Sequence, residues 1–159
     1  MFFAAILPAV SAILMSFTRF ATADIAIMPC PTAETDPTFM ISVFTGGIGR
    51  YTGGQSFTFY LNNTFTDYHS GCSGSVGNGA ADSGMQWCST RVPGWNASFV
   101  MTSEHKINIG NDFLCSQTDG TIATAHADGS VNLDITTGVN GRLSMTPANV
   151  DFPATIAMV

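Results

Sequence analysis

The segment Gln55-Ser56-Phe57-Thr58-Phe59-Tyr60-Leu61-Asn62 alternates between two chemical characters. Phe57, Phe59 and Leu61 fall on one side of an extended chain, and Ser56, Thr58, Tyr60 and Asn62 fall on the other. Successive side chains of a strand point to opposite faces, so a period of two rich in aromatics marks a half-buried β-strand. The same period returns downstream. Trp95, Ala97, Phe99 and Met101 share a face, and His105, Ile107 and Ile109 alternate with Lys106 and Asn108. Phe39–Phe44 (FMISVF) is a short β-run, expected to end at Thr45-Gly46-Gly47. No stretch beyond residue 23 combines a helical period with helix caps, and Gly- and Pro-rich turns punctuate the rest. The expectation is all-β: a compact antiparallel barrel or sandwich of six or seven strands.

Asp128-Gly129 is the strongest local turn signal. It lies between Thr121–Ala127 and Ser130–Thr136, as in a two-residue hairpin with a type I′ turn. That register would set Ile122, Val131, Leu133 and Ile135 on one face and three alanines with Asn132 and Asp134 on the other. The Gly/Ser/Asn-rich run Ser70–Gly84 reads as a loop, residues 24–38 as an extended arm, and residues 138–159 as either a last strand or a tail.

The chain has 159 residues, enough for one domain. Met1–Thr18 carries no charged side chain, and Ala21-Thr22-Ala23 follows before Asp24. An apolar run ahead of a small-x-small triplet is what signal peptidase reads, and the run falls short of the roughly 20 residues of a spanning helix. Residues 1–23 are therefore expected to be a signal peptide, residues 24–137 the secreted β domain. Removal of 1–23 takes away Arg19, leaving Arg50, Arg91, Lys106 and Arg142 against eleven acidic residues, a net charge of −7. Four scattered cations on an acidic surface exclude a phosphate backbone as partner, because nucleic-acid binders cluster Lys and Arg.

All four cysteines, Cys30, Cys72, Cys88 and Cys115, follow the cleavage point. An even count in a small exported chain reads as two disulfides. Of the three pairings, Cys72–Cys88 with Cys30–Cys115 is favoured, because the glycine-rich segment between Cys72 and Cys88 closes readily. Zinc is disfavoured: no C-x₂₋₄-C pair occurs and no His stands at ligand spacing. No metal and no cofactor are expected. Two sequons, Asn62-Asn63-Thr64 and Asn96-Ala97-Ser98, place Asn62 and Asn96 on the polar faces of their strands as candidate glycosylation sites.

The histidines yield no catalytic residue. Glu104 and His105 are neighbours that a strand would point apart. His126 and Asp128 would share a face only if the strand continued past the turn assigned to Asp128. His69 and Asp67 flank a loop and read as solvated. A secreted ribonuclease would need a general base, a general acid and an arginine converging on phosphate; Glu104, His69 or His126, and Arg142 are the available groups, with no motif linking them. A serine hydrolase lacks its G-x-S-x-G elbow.

Cys30-Pro31, Met40-Ile41-Ser42-Val43-Phe44, Ser56-Phe57-Thr58-Phe59, Cys72 and Trp87-Cys88 follow one another in an order that resembles the Alternaria major-allergen family of fungal secreted proteins. The resemblance spans residues 29–136. It implies a compact β-barrel, often dimeric, secreted by plant-associated fungi and recognised by host defences or antibodies, with no established catalytic residues. The chain departs from that pattern in having no cysteine beyond Cys115. The expected function is therefore that of a secreted, non-enzymatic, effector- or allergen-like protein acting on a host extracellular protein or a small ligand. The alternatives are a carbohydrate- or ligand-binding β module, for which Trp95, Tyr51 or Tyr60 exposed on one face would speak, and a small hydrolase. If the leader is read correctly, N-terminal sequencing of protein from culture medium will return Asp24 as the first residue; a start within Ile13–Phe20, or retention in membranes, would refute it.

Overall fold

The computed structural model describes residues 27–32, 35–89 and 94–159. The expected leader 1–23, the start at Asp24 and Pro93 of the Pro93-Gly94 pair lie outside the described residues. Among the described residues, no helix is long and apolar enough to cross a membrane.

Among the described residues, ten strands make a nearly closed antiparallel barrel. They are β1 (Thr38–Ile48), β2 (Gln55–Asn63), β3 (Tyr68–Val76), β4 (Gln86–Trp87), β5 (Asn96–Met101), β6 (Lys106–Ser116), β7 (Ile122–Asn132), β8 (Ile135–Thr137), β9 (Arg142–Met145) and β10 (Asn149–Met158). The spatial order is β3-β2-β1-β10-β7-β6-β5-β4, with β8 and β9 forming a small hairpin that adds to β1. The two ends of this order meet. Ser89, just after β4, donates its backbone N–H to the Gly71 carbonyl of β3 at 2.8 Å, and Cys72–Cys88 ties the same two segments with Cα atoms 4.2 Å apart. The second expected pair also forms: Cys30–Cys115 fastens the N-terminal arm to β6, where Pro29 bridges Ser116 in parallel.

The alternating segments behave as their period requires. Phe57, Phe59 and Leu61 are buried, and so are Trp95, Ala97, Phe99 and Met101. Inside the barrel Phe99 packs edge-on against Phe59 with ring centroids 5.0 Å apart, while Trp95 lies between Tyr68 at 4.6 Å and Phe113 at 5.5 Å. Each such pair adds about 0.5–1.5 kcal/mol beyond the area it buries. A buried polar bridge sits at one end: Asn63 Nδ2 donates to Asn111 Oδ1 at 2.8 Å, and Asn111 Nδ2 donates to the Asn96 carbonyl at 3.0 Å.

Four expectations are corrected. Asp128-Gly129 is not a hairpin turn: β7 runs straight through it, with Gly129 paired to Ile109 on one side and to Ala154 on the other. The faces follow suit, so Ala125 and Ala127 are inside and Ile122 is 52% exposed. The cause is room for rings. A Cβ at Gly129 would stand 2.9 Å from Phe39 and 3.0 Å from Phe152, so large aromatics on β1 and β10 demand small residues on β7. Second, β1 does not stop at Thr45-Gly46-Gly47. A bulge between Ser42 and Thr45, with Val43 at φ 52°, turns the strand from β10 to β9. Third, the first half of Ser70–Gly84 is strand β3 rather than loop, with Ser70, Cys72 and Val76 facing in. Fourth, the strand after His105 begins only at Lys106; His105 itself is in a turn at φ 65°.

Of the two readings of 138–159, the strand is found, and β10 occupies the middle of the sheet. Replacing Cys72 and Cys88 together by Ser should lower unfolding free energy by about 2–5 kcal/mol, read from denaturant curves. Amide exchange in the mutant should accelerate first across Ser70–Val76 and Ser89, and an unchanged seam would show that the bond is dispensable for closure.

Candidate functional site

Two of the clefts on the barrel surface bring exposed aromatic or titratable side chains together. The first lies on the outer face of β1, β2 and β3, beside β4. Outward residues pair across the strands: Thr45 with Thr58, Thr58 with Ser73, and Tyr60 with Gly71, which in turn meets Ser89. Gly71 has no side chain, so this row dips. Tyr60 and Trp87 border the dip and are 55% and 63% exposed, while Val43, thrown outward by the bulge, is 60% exposed. The resulting groove holds about 440 Å³, within the usual size of a small-ligand site. Thr45 and Thr58 share a hydroxyl–hydroxyl hydrogen bond of 2.9 Å, and Ser89 Oγ donates to the Gly71 carbonyl at 3.0 Å. Beneath the floor runs the Cys72–Cys88 bond, and Trp87 is the residue next to it. The disulfide thus fixes the backbone that carries the indole.

The second feature is a larger cleft of about 730 Å³ on the outer face of β5, β6, β7 and β10, floored by Gly110. Here β7 supplies His126 and Asp128 on one face, and the β6–β7 register sets Asp112 opposite His126. His126 Nδ1 is 2.5 Å from Asp112 Oδ1 and Nε2 is 2.9 Å from Asp128 Oδ2. A neutral imidazole would turn a lone pair toward one of these carboxylates, so the clamp favours the cation. The hydrogen bond that His126 Nδ1–H donates to Asp112 raises the His126 pKa above its ordinary value, partly opposed by desolvation and helped by the Asp128 charge. As a cation, His126 donates both N–H groups to its own protein. No ring nitrogen is left to take a proton from a substrate, which is what a general base must do.

The remaining candidates are dispersed. Among the described ion pairs, His69 meets Asp67 at 3.7 Å with both exposed, and none includes Glu104 or Arg142. His105 is half-buried with Nε2 3.2 Å from Gln55 Oε1, and burial lowers its pKa. Among the described residues, the ribonuclease constellation of Glu104, His69 or His126, and Arg142 therefore forms no ion pair of its own. Of the aromatics singled out for sugar stacking, Trp95 is buried, whereas Tyr51 and Tyr60 are exposed. Asn96 is exposed; Asn62 is half-buried, and its side-chain oxygen is buried without a hydrogen-bond partner.

Sequence reasoning missed Trp87, Val43 and Asp112. Trp87 stands on a strand of two residues, too short to show a period. Asp112 becomes a partner only once β7 is continuous, and the signal for that was present: Thr124, His126, Asp128, Ser130 and Asn132 alternate with Ala125, Ala127, Gly129 and Val131 without a break.

No family model matches the chain, and no curated protein or solved structure matches it.

The clamp makes a pH prediction. The folded pKa of His126 is raised above the unfolded value of roughly 6.5, so its stabilisation is complete below that value and is lost as pH rises through the folded pKa. Solvent reaches both partners, which limits the effect to about 0.2–1 kcal/mol. The stability gap between wild type and His126→Gln should be widest near about pH 5 and close toward about pH 9. A gap that widens with pH would contradict the clamp.

Proposed function

We propose that this protein is a secreted, non-enzymatic, effector- or allergen-like module that recognises a host extracellular partner through the outer face of β2, β3 and β4. One observation carries the reading: a small acidic barrel leaves Val43, Tyr60 and Trp87 exposed around one groove and anchors the Trp87 backbone with a disulfide. Large aromatics on a surface cost solubility, and clusters of them mark contact sites. Two disulfides accord with an oxidising, extracellular setting. The imidazole most favourably placed for chemistry, His126, has both nitrogens engaged by Asp112 and Asp128, which speaks for binding over turnover.

The experiment is retention of labelled protein on plant extracellular material. Trp87→Ala and Tyr60→Ala should each weaken retention by about tenfold or more, as hot-spot aromatics do, while His126→Gln should change it no more than a few-fold. A hydrolase predicts the reverse, since loss of a general acid or base typically costs about 10²–10⁴ in rate. Full retention by a folded Trp87→Ala, Tyr60→Ala double variant would remove the groove from the function.

A further inference from the structure

The chemistry of the groove narrows its occupant. Among the described residues that line it there is no Asp, Glu, Lys, Arg or His, in a chain whose net charge is −6. A site for a phosphate, a carboxylate or a cationic peptide needs an opposing charge, and the described lining supplies none. What it supplies is two exposed aromatic side chains and a set of hydroxyls. Tyr60 and Trp87 are both exposed at its borders, and the Ser89 hydroxyl lies beside the Tyr60 ring over Gly71. Thr45, Thr58 and Ser73 stand in one row across three strands, and their hydroxyls can both donate and accept. Only one of the two protons on the Thr45–Thr58 pair is consumed by their mutual bond.

We infer that this groove is a binding site for a neutral pyranose oligosaccharide. A pyranose ring has a C–H face that stacks on an indole or phenol and equatorial hydroxyls at its rim, which need alternating donors and acceptors and no charge. The match is of both kinds at once: exposed aromatic side chains at the borders and a row of hydroxyls beside them. Because the Cys72–Cys88 bond lies under the floor and Trp87 adjoins it, the backbone beneath the stacking platform is set before the ligand arrives, and less ordering entropy opposes binding. The inference rests on the recognition reading above and names its ligand class.

The two tryptophans give a direct readout. Trp87 is exposed and Trp95 is buried, so emission from Trp87 alone should respond to an occupant of the groove. Titration of the intact secreted protein with chitohexaose, cellohexaose and laminarihexaose should shift tryptophan emission to the blue and protect it from acrylamide with at least one of the three. Polygalacturonate, an anionic control, should not compete. Affinity should stay within about twofold between about 0.05 and about 0.5 M salt, since the described lining offers no ionic partner. Trp87→Ala should lower affinity by about tenfold or more and Trp87→Phe by less, both with unchanged thermal midpoints because the ring is at the surface.

Absence of binding to all three neutral oligosaccharides, or equal binding by folded Trp87→Ala, overturns the inference. Steep loss of affinity with salt overturns it as well, by showing a charged contact. These outcomes separate from failure of the recognition reading. If the sugars fail while Trp87→Ala still abolishes retention on host material, and protease treatment of that material also abolishes it, the groove binds protein. Should the groove instead seat a second copy of this chain, sedimentation will show a dimer that Trp87→Ala dissociates.

Discussion

Closure of the strand order onto itself is the constraint from which the rest of the molecule follows. β3 and β4 are the first and last strands of the sheet path, and among the described residues a short contact joins them: the Ser89 N–H and hydroxyl to the Gly71 carbonyl, the Ser70 hydroxyl to the Ser89 carbonyl at 2.7 Å, and the Cys72–Cys88 bond. β4 has two residues and cannot supply a ladder of its own. A covalent bond across such a seam replaces hydrogen bonds that the sequence there does not form. With the seam shut, the two ends of the sheet path meet and the aromatic interior is enclosed. The same seam bears the groove between Tyr60 and Trp87, so closure of the barrel and the shape of that groove share Gly71, Cys72, Cys88 and Ser89.

The interior is solved by complementary sizes. Phe39, Phe113 and Phe152 lie against β7, and β7 answers with Ala125, Ala127 and Gly129. Gly74 on β3 makes the same concession to Phe57 and Phe99, whose ring atoms would stand 3.3 and 3.1 Å from an added Cβ. A barrel this narrow takes a bulky ring from one strand only where its neighbour offers little. That rule is invisible to hydrophobicity alone, because the small strand looks weak.

This explains what the sequence disclosed. Gln55–Asn62 and Trp95–Met101 were legible because aromatics and β-branched or polar residues alternate strongly there, and the cysteine pairing was legible from loop length. β7 was misread because Asp-Gly outweighed an unbroken but small-residue alternation. β3 hid within a Ser/Gly run whose inward positions are Ser70, Cys72 and Gly74. β10 hid behind Pro153, which breaks most strands. Its position resolves the conflict: β10 pairs with β1 through Pro153 and with β7 from Ala154 onward, so the proline sits where the strand changes partners. The Trp87–Tyr60 groove was beyond reach from sequence, because it is assembled from four strands whose adjacency only the closed barrel creates.

The placement of β10 has a consequence in time. It is the last of the ten strands in chain order, yet it lies between β1 and β7. As the chain emerges from the ribosome or a translocation pore, the hairpins β1–β2–β3 and β5–β6–β7 can form early, and so can the local Cys72–Cys88 link. The two halves then wait with open edges on β1 and β7 until β10 threads between them. During that interval each edge can accept a strand from another nascent chain. Maturation of this barrel therefore ends with an insertion, and its closure waits on β10, the last of its described strands to be made.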